Sequence, residues 1–386
     1  MRIAPERAPV RTPANALVDA RMTVLEVRGL VVRFRSRAST IYAVNGVSFD
    51  IAAGATLALV GESGCGKTVT SLAAIGLLPR GGRVEAGEVR LWSRDLLSLS
   101  EPEMRSVRGR EIAMVFQDPM TSLNPVLTVG EQVEETILAH ERISKERARG
   151  RAIDLLAQVG LPEPATALRC YPHELSGGMR QRVMIAIALA LDPKVLIADE
   201  PTTALDVTIQ AQVLDLMRRL TRESGTALLL ITHDLGVVAG MAERIAVMYA
   251  GFIVEMANAA DMFAQPRHPY TVGLLRSLPR RDRRLHALTP IEGAPPDQHV
   301  EPRGCPFAPR CAWRLDICWT HSPPLVGRAG DADAAEAKRP GSGHLVACHN
   351  PVLPNEVARG RPSRAGFVPA PPPPGRDDIR LAGPAS

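Results

Sequence analysis

The chain has 386 residues, 45% hydrophobic, 23% charged and 4% aromatic, and its 46 basic against 41 acidic residues give a net charge of +5. That length supports one large domain or two ordinary ones with real cores, in an ordinary globular composition apart from the scarce aromatics. The longest unbroken apolar run, Val183 to Leu191, is far short of the roughly 20 residues a bilayer span needs, and residues 1–21 hold no signal-like stretch, so the expectation is a chain that stays in the cytosol.

The basic excess is carried almost wholly by Arg, since only Lys67, Lys145, Lys194 and Lys338 are lysines. Aromatics are too sparse for a stacking platform on single strands, and no nucleic-acid partner is expected. Cysteines in a reducing compartment argue against a disulfide framework. Four of the 6 lie between Cys305 and Cys348.

Residues 1–21, rich in Ala, Pro and Arg without periodicity, read as a disordered leader. From Thr23 the pattern turns to short β-rich runs at 23–34, 41–51 and 56–60, separated by turn residues. A Gly-rich loop and a helical stretch to Leu78 follow, then β-like runs at 88–92 and 112–116. Between 118 and 191 the period is helical, with stops at Gly160 and Pro162, which suggests a subdomain hung on the sheet. A strand at 195–198 leads to a helix over about 207–222, a strand at 226–232, a shorter helix, and strands in RIAVMYA and FIVEM. This alternation predicts an α/β fold with a largely parallel sheet. Past Asp261 the chain runs through TVGLLRSL into Pro- and Cys-rich sequence, and 351–386, with PAPPPPG, reads as a disordered tail.

The strongest local signal is Gly61-Glu62-Ser63-Gly64-Cys65-Gly66-Lys67-Thr68, a phosphate-binding loop pattern between a short buried strand and a helix. Glycines let backbone N–H groups turn inward around phosphate oxygens, and the helix start adds partial positive charge. Lys67 would neutralise those oxygens and Thr68 would offer its hydroxyl to Mg²⁺. A chance match in a chain this long is on the order of one in a hundred, before the strand–loop–helix setting is counted. In VLIADE, Asp199 and Glu200 end an apolar strand at its carboxyl edge, where open α/β sheets bind ligands. Asp199 is placed to hold Mg²⁺ through water, and Glu200 to polarise the attacking water. Gln117 and His233 stand at similar strand ends. Alone each would read as a loop residue; beside a nucleotide site they become sensors of Mg²⁺ or γ-phosphate.

Ser176-Gly177-Gly178 opens a long apolar helix, with Ser176 a natural N-cap and the glycines exposing N–H groups. One triphosphate does not need two anion sites in one chain. The second therefore lacks a partner unless it serves a nucleotide held by another subunit. The bland alternative is a Ser-capped helix with flexible glycines.

Taken in order, the phosphate loop, Gln117, Leu175-Ser176-Gly177-Gly178-Met179, the IADE strand, Ala204-Leu205-Asp206 and His233 resemble the nucleotide-binding subunit of ABC transporters over about 23–265. The resemblance implies a RecA-like core with a β-subdomain and an inserted helical subdomain at about 118–191, all within residues 22–265. It also implies two cassettes clamped head to tail, each ATP lying between one phosphate loop and the opposite Ser176-Gly177-Gly178. Glu200 is then the catalytic base and His233 the γ-phosphate contact. Thr68, Gln117 and Asp199 surround Mg²⁺, Asp206 lies at the dimer seam, and Phe34, with Tyr42 as runner-up, stacks on adenine. Met179 stands where many members have Gln, which leaves the backbone anion site intact.

Phe116 to Pro125 and Arg267-His268-Pro269-Tyr270-Thr271 are similar to segments of dipeptide and oligopeptide importer ATPases. That implies peptide cargo, with nickel or glutathione as alternatives, and a C-terminal extension over 266–350. It implies as partners a second ATPase subunit (self or paralogue), two permease subunits and an extracytoplasmic peptide-binding protein, at the cytoplasmic face of a bacterial inner membrane. A soluble ABC ATPase acting on DNA or ribosomes is the rival class. It would call for inserted coiled coils or zinc modules, or for a second cassette, and none of these is visible in the sequence.

Cys305, Cys311, Cys318 and Cys348 are spaced more widely than paired zinc or ferredoxin ligands, so spacing leaves a metal site and four reduced thiols both open. The resemblance of this Cys-rich end to peptide-importer ATPases implies a 4Fe–4S cluster, with His344 and His349 as substitute ligands. Cys65 and Cys170 read as structural.

Overall fold

The computed structural model describes residues 22–37, 39–203, 205–277, 290–327 and 343–357. The expected leader at 1–21, most of the expected tail and Ala204 lie outside them. Two sheets form. Thr23–Arg35 (β1) pairs antiparallel with Thr40–Ala52 (β2) and with Gly82–Leu91 (β4), which takes Arg94–Asp95 (β5) at its edge.

The larger sheet is built on Thr56–Val60 (β3), Ile112–Val115 (β6), Val195–Asp199 (β7) and Ala227–Thr232 (β8), continued by Arg244–Tyr249 (β9) and Phe252–Asn258 (β10). Two short strands, Val326–Gly327 (β11) and Leu345–Val346 (β12), extend it past β10, giving the order β11-β12-β10-β9-β3-β8-β7-β6. Pairs among β9, β3, β8, β7 and β6 are parallel; those from β9 through β10 and β12 to β11 are antiparallel.

The period of two along each strand decides what each face covers. Val195, Ile197, Ala227, Leu229 and Ile231 face one core, shared with β1, β2 and the helix Lys67–Ala74. Their alternates Leu196, Ala198, Leu228 and Leu230 face a second, shared with the helices Val129–His140, Lys145–Gln158 and Gly177–Leu189. With both faces covered, β7 and β8 are buried along their whole length, the habit of parallel strands. A third core joins Ala58 and Val60 of β3 to Tyr249, Tyr270, Phe307, Trp313 and Val352. The chain beyond 265 thus shares its interior with the sheet.

Three details differ from the sequence reading. The helix after the phosphate loop ends at Ala74, not Leu78, because Gly76 turns left-handed at φ 65°. Strand β4 begins at Gly82 because pairing with β1, reinforced by an Arg35–Glu85 ion pair at 2.6 Å, outweighs its weak local pattern. Residues 351–357 do not trail as a tail. Val352 and Glu356 are buried, and Trp313 Nε1 donates to Glu356 Oε2 at 3.2 Å. Among the described residues, no helix is long and apolar enough to cross a membrane.

Candidate functional site

Parallel strands β3, β8, β7 and β6 end on one edge of the sheet, and each end carries a polar segment. After β3 the loop 61–66 turns into the helix Lys67–Ala74. Two of its glycines are sterically required. A Cβ at Gly61 would collide with the Met248 carbonyl, and one at Gly66 with the Ala43 carbonyl. Gly66 also sits at φ 106°, where side chains are strained. Lys67 is buried and folds back over the loop, its Nζ donating to the carbonyls of Gly61 at 2.9 Å and Glu62 at 3.0 Å. The loop is thus closed on its own lysine, with N–H groups at the helix start. Cys65 packs into the first core, and burial raises its thiol pKa.

Thr68 Oγ1 donates to Asp199 Oδ1 at 3.1 Å, tying the helix start to the end of β7. Burial is the main cause that pushes the Asp199 carboxyl up, with Glu200 next to it adding to the rise. The Thr68 hydrogen bond and Lys67 oppose it. A buried carboxylate beside a glycine-rich loop and helix start suits a divalent cation, which would stabilise its charged form.

Glu200 stands at φ 45°, a left-handed conformation that costs energy for a side-chain-bearing residue and collects at functional sites. A backbone bond from its N–H to Ile231 O at 2.9 Å holds it there. Both carboxylate oxygens are engaged: Gln117 Nε2 and Thr203 Oγ1 each donate to Oε2 at 3.0 Å, and His233 Nδ1 lies 3.2 Å from Oε1. The ends of β6, β7 and β8 therefore meet on one carboxylate. Thr203 was not anticipated; its only sequence signal is a hydroxyl three residues after the acidic pair.

Ser176, Gly177 and Gly178 lie elsewhere. Ser176 caps the helix Gly177–Leu189, its side chain accepting from Met179 N, and Ser176 and Gly177 are exposed. Among the described residues, no hydrogen bond or ion pair links them to 61–68. A Cβ at Gly178 would sit 2.7 Å from Ile209 Cγ2, so this helix start rests on the helix Val207–Ser224. Asp206 caps that second helix, accepting from Thr208 N at 3.1 Å and Ile209 N at 3.0 Å. Phe34 packs its ring where a Gly82 side chain would go, and Tyr42 is covered by the Arg33 guanidinium at 4.7 Å.

The four C-terminal thiols form a separate group. Backbone N–H groups of Trp313, Leu315 and Asn350 point at the sulfurs of Cys311, Cys318 and Cys348 at 3.3, 3.4 and 3.4 Å. Burial pushes Cys305 up to about 11 and Cys348 to about 12. Among the described residues, no three His, Cys, Asp or Glu groups could hold a single metal ion. His344 Nε2 is 2.6 Å from Glu255 Oε1, and His349 Nε2 is 3.0 Å from His321 O, so both histidines are committed elsewhere.

Comparison with known proteins bears on this arrangement. Residues 44–203 match the ABC transporter family, and residues 254–318 match the oligopeptide/dipeptide transporter C-terminal region. The chain is 54% identical over 296 residues to a dipeptide transport ATP-binding protein of Bacillus subtilis, covering 76% of this chain and 88% of that one. It is 47% identical over 340 residues to an oligopeptide transport ATP-binding protein of Salmonella typhimurium, covering 88% and 95%. Among solved structures, a dimeric post-hydrolysis ATP-binding cassette bound to ADP and Pi superposes with a TM-score of 0.55 at 30% identity, over 61% of this chain and 98% of that one.

Proposed function

The chain belongs to the ABC transporter family of dipeptide and oligopeptide ATP-binding proteins, and from that we propose that it binds and hydrolyses ATP to power import of such peptides through a multi-subunit transporter. The observation that carries the reading is the convergence of Gln117, Thr203 and His233 on Glu200 beside the Thr68–Asp199 pair and the closed loop over Lys67. Residues 22–265 are the cassette, 118–191 its inserted helical subdomain, and 266–350 the Cys-rich extension of peptide importers.

Gly61, Glu62, Ser63, Gly64, Cys65, Gly66, Lys67 and Thr68 receive the β- and γ-phosphates, with Lys67 exchanging its carbonyl partners for phosphate oxygens. Phe34 stacks on adenine. Thr68, Gln117 and Asp199 would hold Mg²⁺, which would neutralise phosphate charge. Glu200 orients the attacking water and accepts its proton, while His233 contacts the γ-phosphate. Positioning and charge stabilisation carry most of such a phosphoryl transfer.

The exposed Ser176-Gly177-Gly178 start serves a triphosphate held by a second ATP-binding subunit, this chain or a paralogue, with Asp206 at the seam. Exposed Phe116 and Val126 flank the Gln117–Pro125 segment, exposed Met120 lies within it, and together they support docking of two permease subunits there. The relatives' transport role supports a peripheral station at the cytoplasmic face of the bacterial inner membrane, with peptide delivered by an extracytoplasmic binding protein. Replacement Glu200→Gln should keep MgATP binding, lower turnover roughly 10²–10⁴-fold and accumulate a dimer in size-exclusion chromatography. Full-speed hydrolysis by that variant would overturn the assignment.

Cys305, Cys311, Cys318 and Cys348 would hold a 4Fe–4S cluster, an electron-rich centre whose sulfurs favour N–H donors such as those of Trp313, Leu315 and Asn350. Anaerobically prepared protein should absorb at about 400 nm and contain iron; a colourless, iron-free chain would refute it.

A further inference from the structure

The chain beyond residue 265 grips the phosphate loop from outside. Arg310, the residue before Cys311, reaches back to the loop with a side chain only 6% exposed. Its Nη1 donates to both carboxylate oxygens of Glu62, at 3.2 and 3.0 Å, and to Tyr249 Oη at 3.3 Å. Its Nη2 donates to Ile291 O at 3.1 Å and its Nε to Glu292 O at 2.9 Å. Two further contacts fix the loop backbone. Tyr270 Oη accepts the Glu62 N–H at 2.9 Å, and Gln298 Nε2 donates to Gly64 O at 2.6 Å while its own carbonyl accepts from Tyr42 N at 2.9 Å. Tyr249, Tyr270 and Phe307 pack ring to ring behind these groups, with centroids 4.6 to 5.5 Å apart.

Glu62 is an anomaly in a loop that must receive a polyanion, because a carboxylate there repels the ligand. Arg310 offsets that charge with a two-oxygen contact. Pinned to two carbonyls and a phenol, it is not free to swing onto the phosphates itself, so its influence on a nucleotide passes through Glu62. We propose that Arg310 is a positioning residue for ATP binding, and that the module carrying it, with Tyr270 and Gln298, braces the phosphate loop and sets its affinity. This rests on the ATP reading above.

The test is a double-mutant cycle in the full-length chain, read by equilibrium MgATP binding and steady-state turnover. Replacement Arg310→Met should weaken MgATP binding and raise KM about tenfold while kcat stays within about twofold. In a Glu62→Gln background, where the repelling charge is gone, the same replacement should change affinity less than about threefold. A purely structural role predicts the same loss in both backgrounds and would overturn the proposal, as would wild-type affinity in Arg310→Met. Arg310→Lys keeps the charge without the fork and should fall between wild type and Met; a loss as large as that of Met would count against charge compensation.

Because coupling is reciprocal, MgATP should also slow amide exchange across 305–311, and unchanged exchange would deny the brace. A wild-type chain without MgATP affinity would sink the nucleotide reading itself. Normal binding with no dependence on Glu62 would sink only the role of Arg310.

Discussion

Two helix starts in this molecule carry glycines, Gly66 and Gly177-Gly178, and they are furnished very differently. The start at Lys67 is enclosed: its lysine is buried, its hydroxyl is bonded to Asp199, its loop carbonyls are occupied, and Arg310, Tyr270 and Gln298 hold it from behind. The start at Ser176 is open, with a cap on its own helix, glycines resting on Ile209 and Leu205, and an exposed surface in front. Enclosure suits a site that must bind a polyanion by itself. Openness suits a surface completed by another chain. On the proposed function, the difference assigns binding to the first start and turnover to the second, and each can be perturbed separately.

The largest effect is expected at the enclosed start. Replacing Lys67 with Met removes a buried, already oriented ammonium and should lower turnover roughly 10²–10³-fold, with a parallel loss of MgATP binding measured by calorimetry. Retained binding would mean that the loop N–H groups suffice.

The backing of that start is also acid-sensitive. His268 is buried, and its Nδ1 accepts the N–H of Tyr270, the residue whose phenol holds Glu62. Burial pulls its pKa down to about 4, with Glu255 opposing. The folded state therefore holds it neutral, while the unfolded chain binds the proton below about 6.5. Its contribution is complete above that value and is lost as pH falls towards 4, about 3 kcal/mol in all. Urea midpoints of wild type and His268→Asn should converge as pH drops from 7 to 4. Parallel pH profiles would show that His268 does not govern this backing.

The enclosed start was the easier one to read in sequence, and the reason is physical. Phosphate loops need glycine where carbonyls approach closely, as at Gly61 against Met248 and Gly66 against Ala43, so the constraint leaves a local signature. Asp199, Gln117 and His233 were legible as polar residues ending apolar strands, because parallel sheets collect such ends on one edge. Arg310, Gln298 and Thr203 left no comparable mark. Arg310 acts across 248 residues of sequence, and nothing around it distinguishes it from other arginines in an Arg-rich chain. The short strands β11 and β12 were missed for the same reason: two-residue strands have no periodicity and exist only through pairing, β12 with β10 and β11 with β12.

The open start should respond in turnover alone. Replacing Ser176 with Arg puts bulk and charge on the exposed face and should lower turnover roughly 10- to 100-fold. MgATP affinity of the free chain should remain within about twofold. Equal losses in both would place Ser176 next to its own chain's nucleotide and remove the contrast between the two starts.

Asp206 gives the smallest effect and the finest distinction. Within the chain its carboxylate is an N-cap, bonded to Thr208 N and Ile209 N, and the helix it caps supports Gly178 through Ile209. Replacement with Ala should cost about 1 kcal/mol of stability and soften the support under the open start. Serine can cap the same helix without a charge. If Asp206 only caps, Asp206→Ser restores both thermal midpoint and turnover. If its carboxylate also meets the second subunit, Asp206→Ser restores the midpoint while turnover stays low, and the seam then runs through this residue as well as through Ser176.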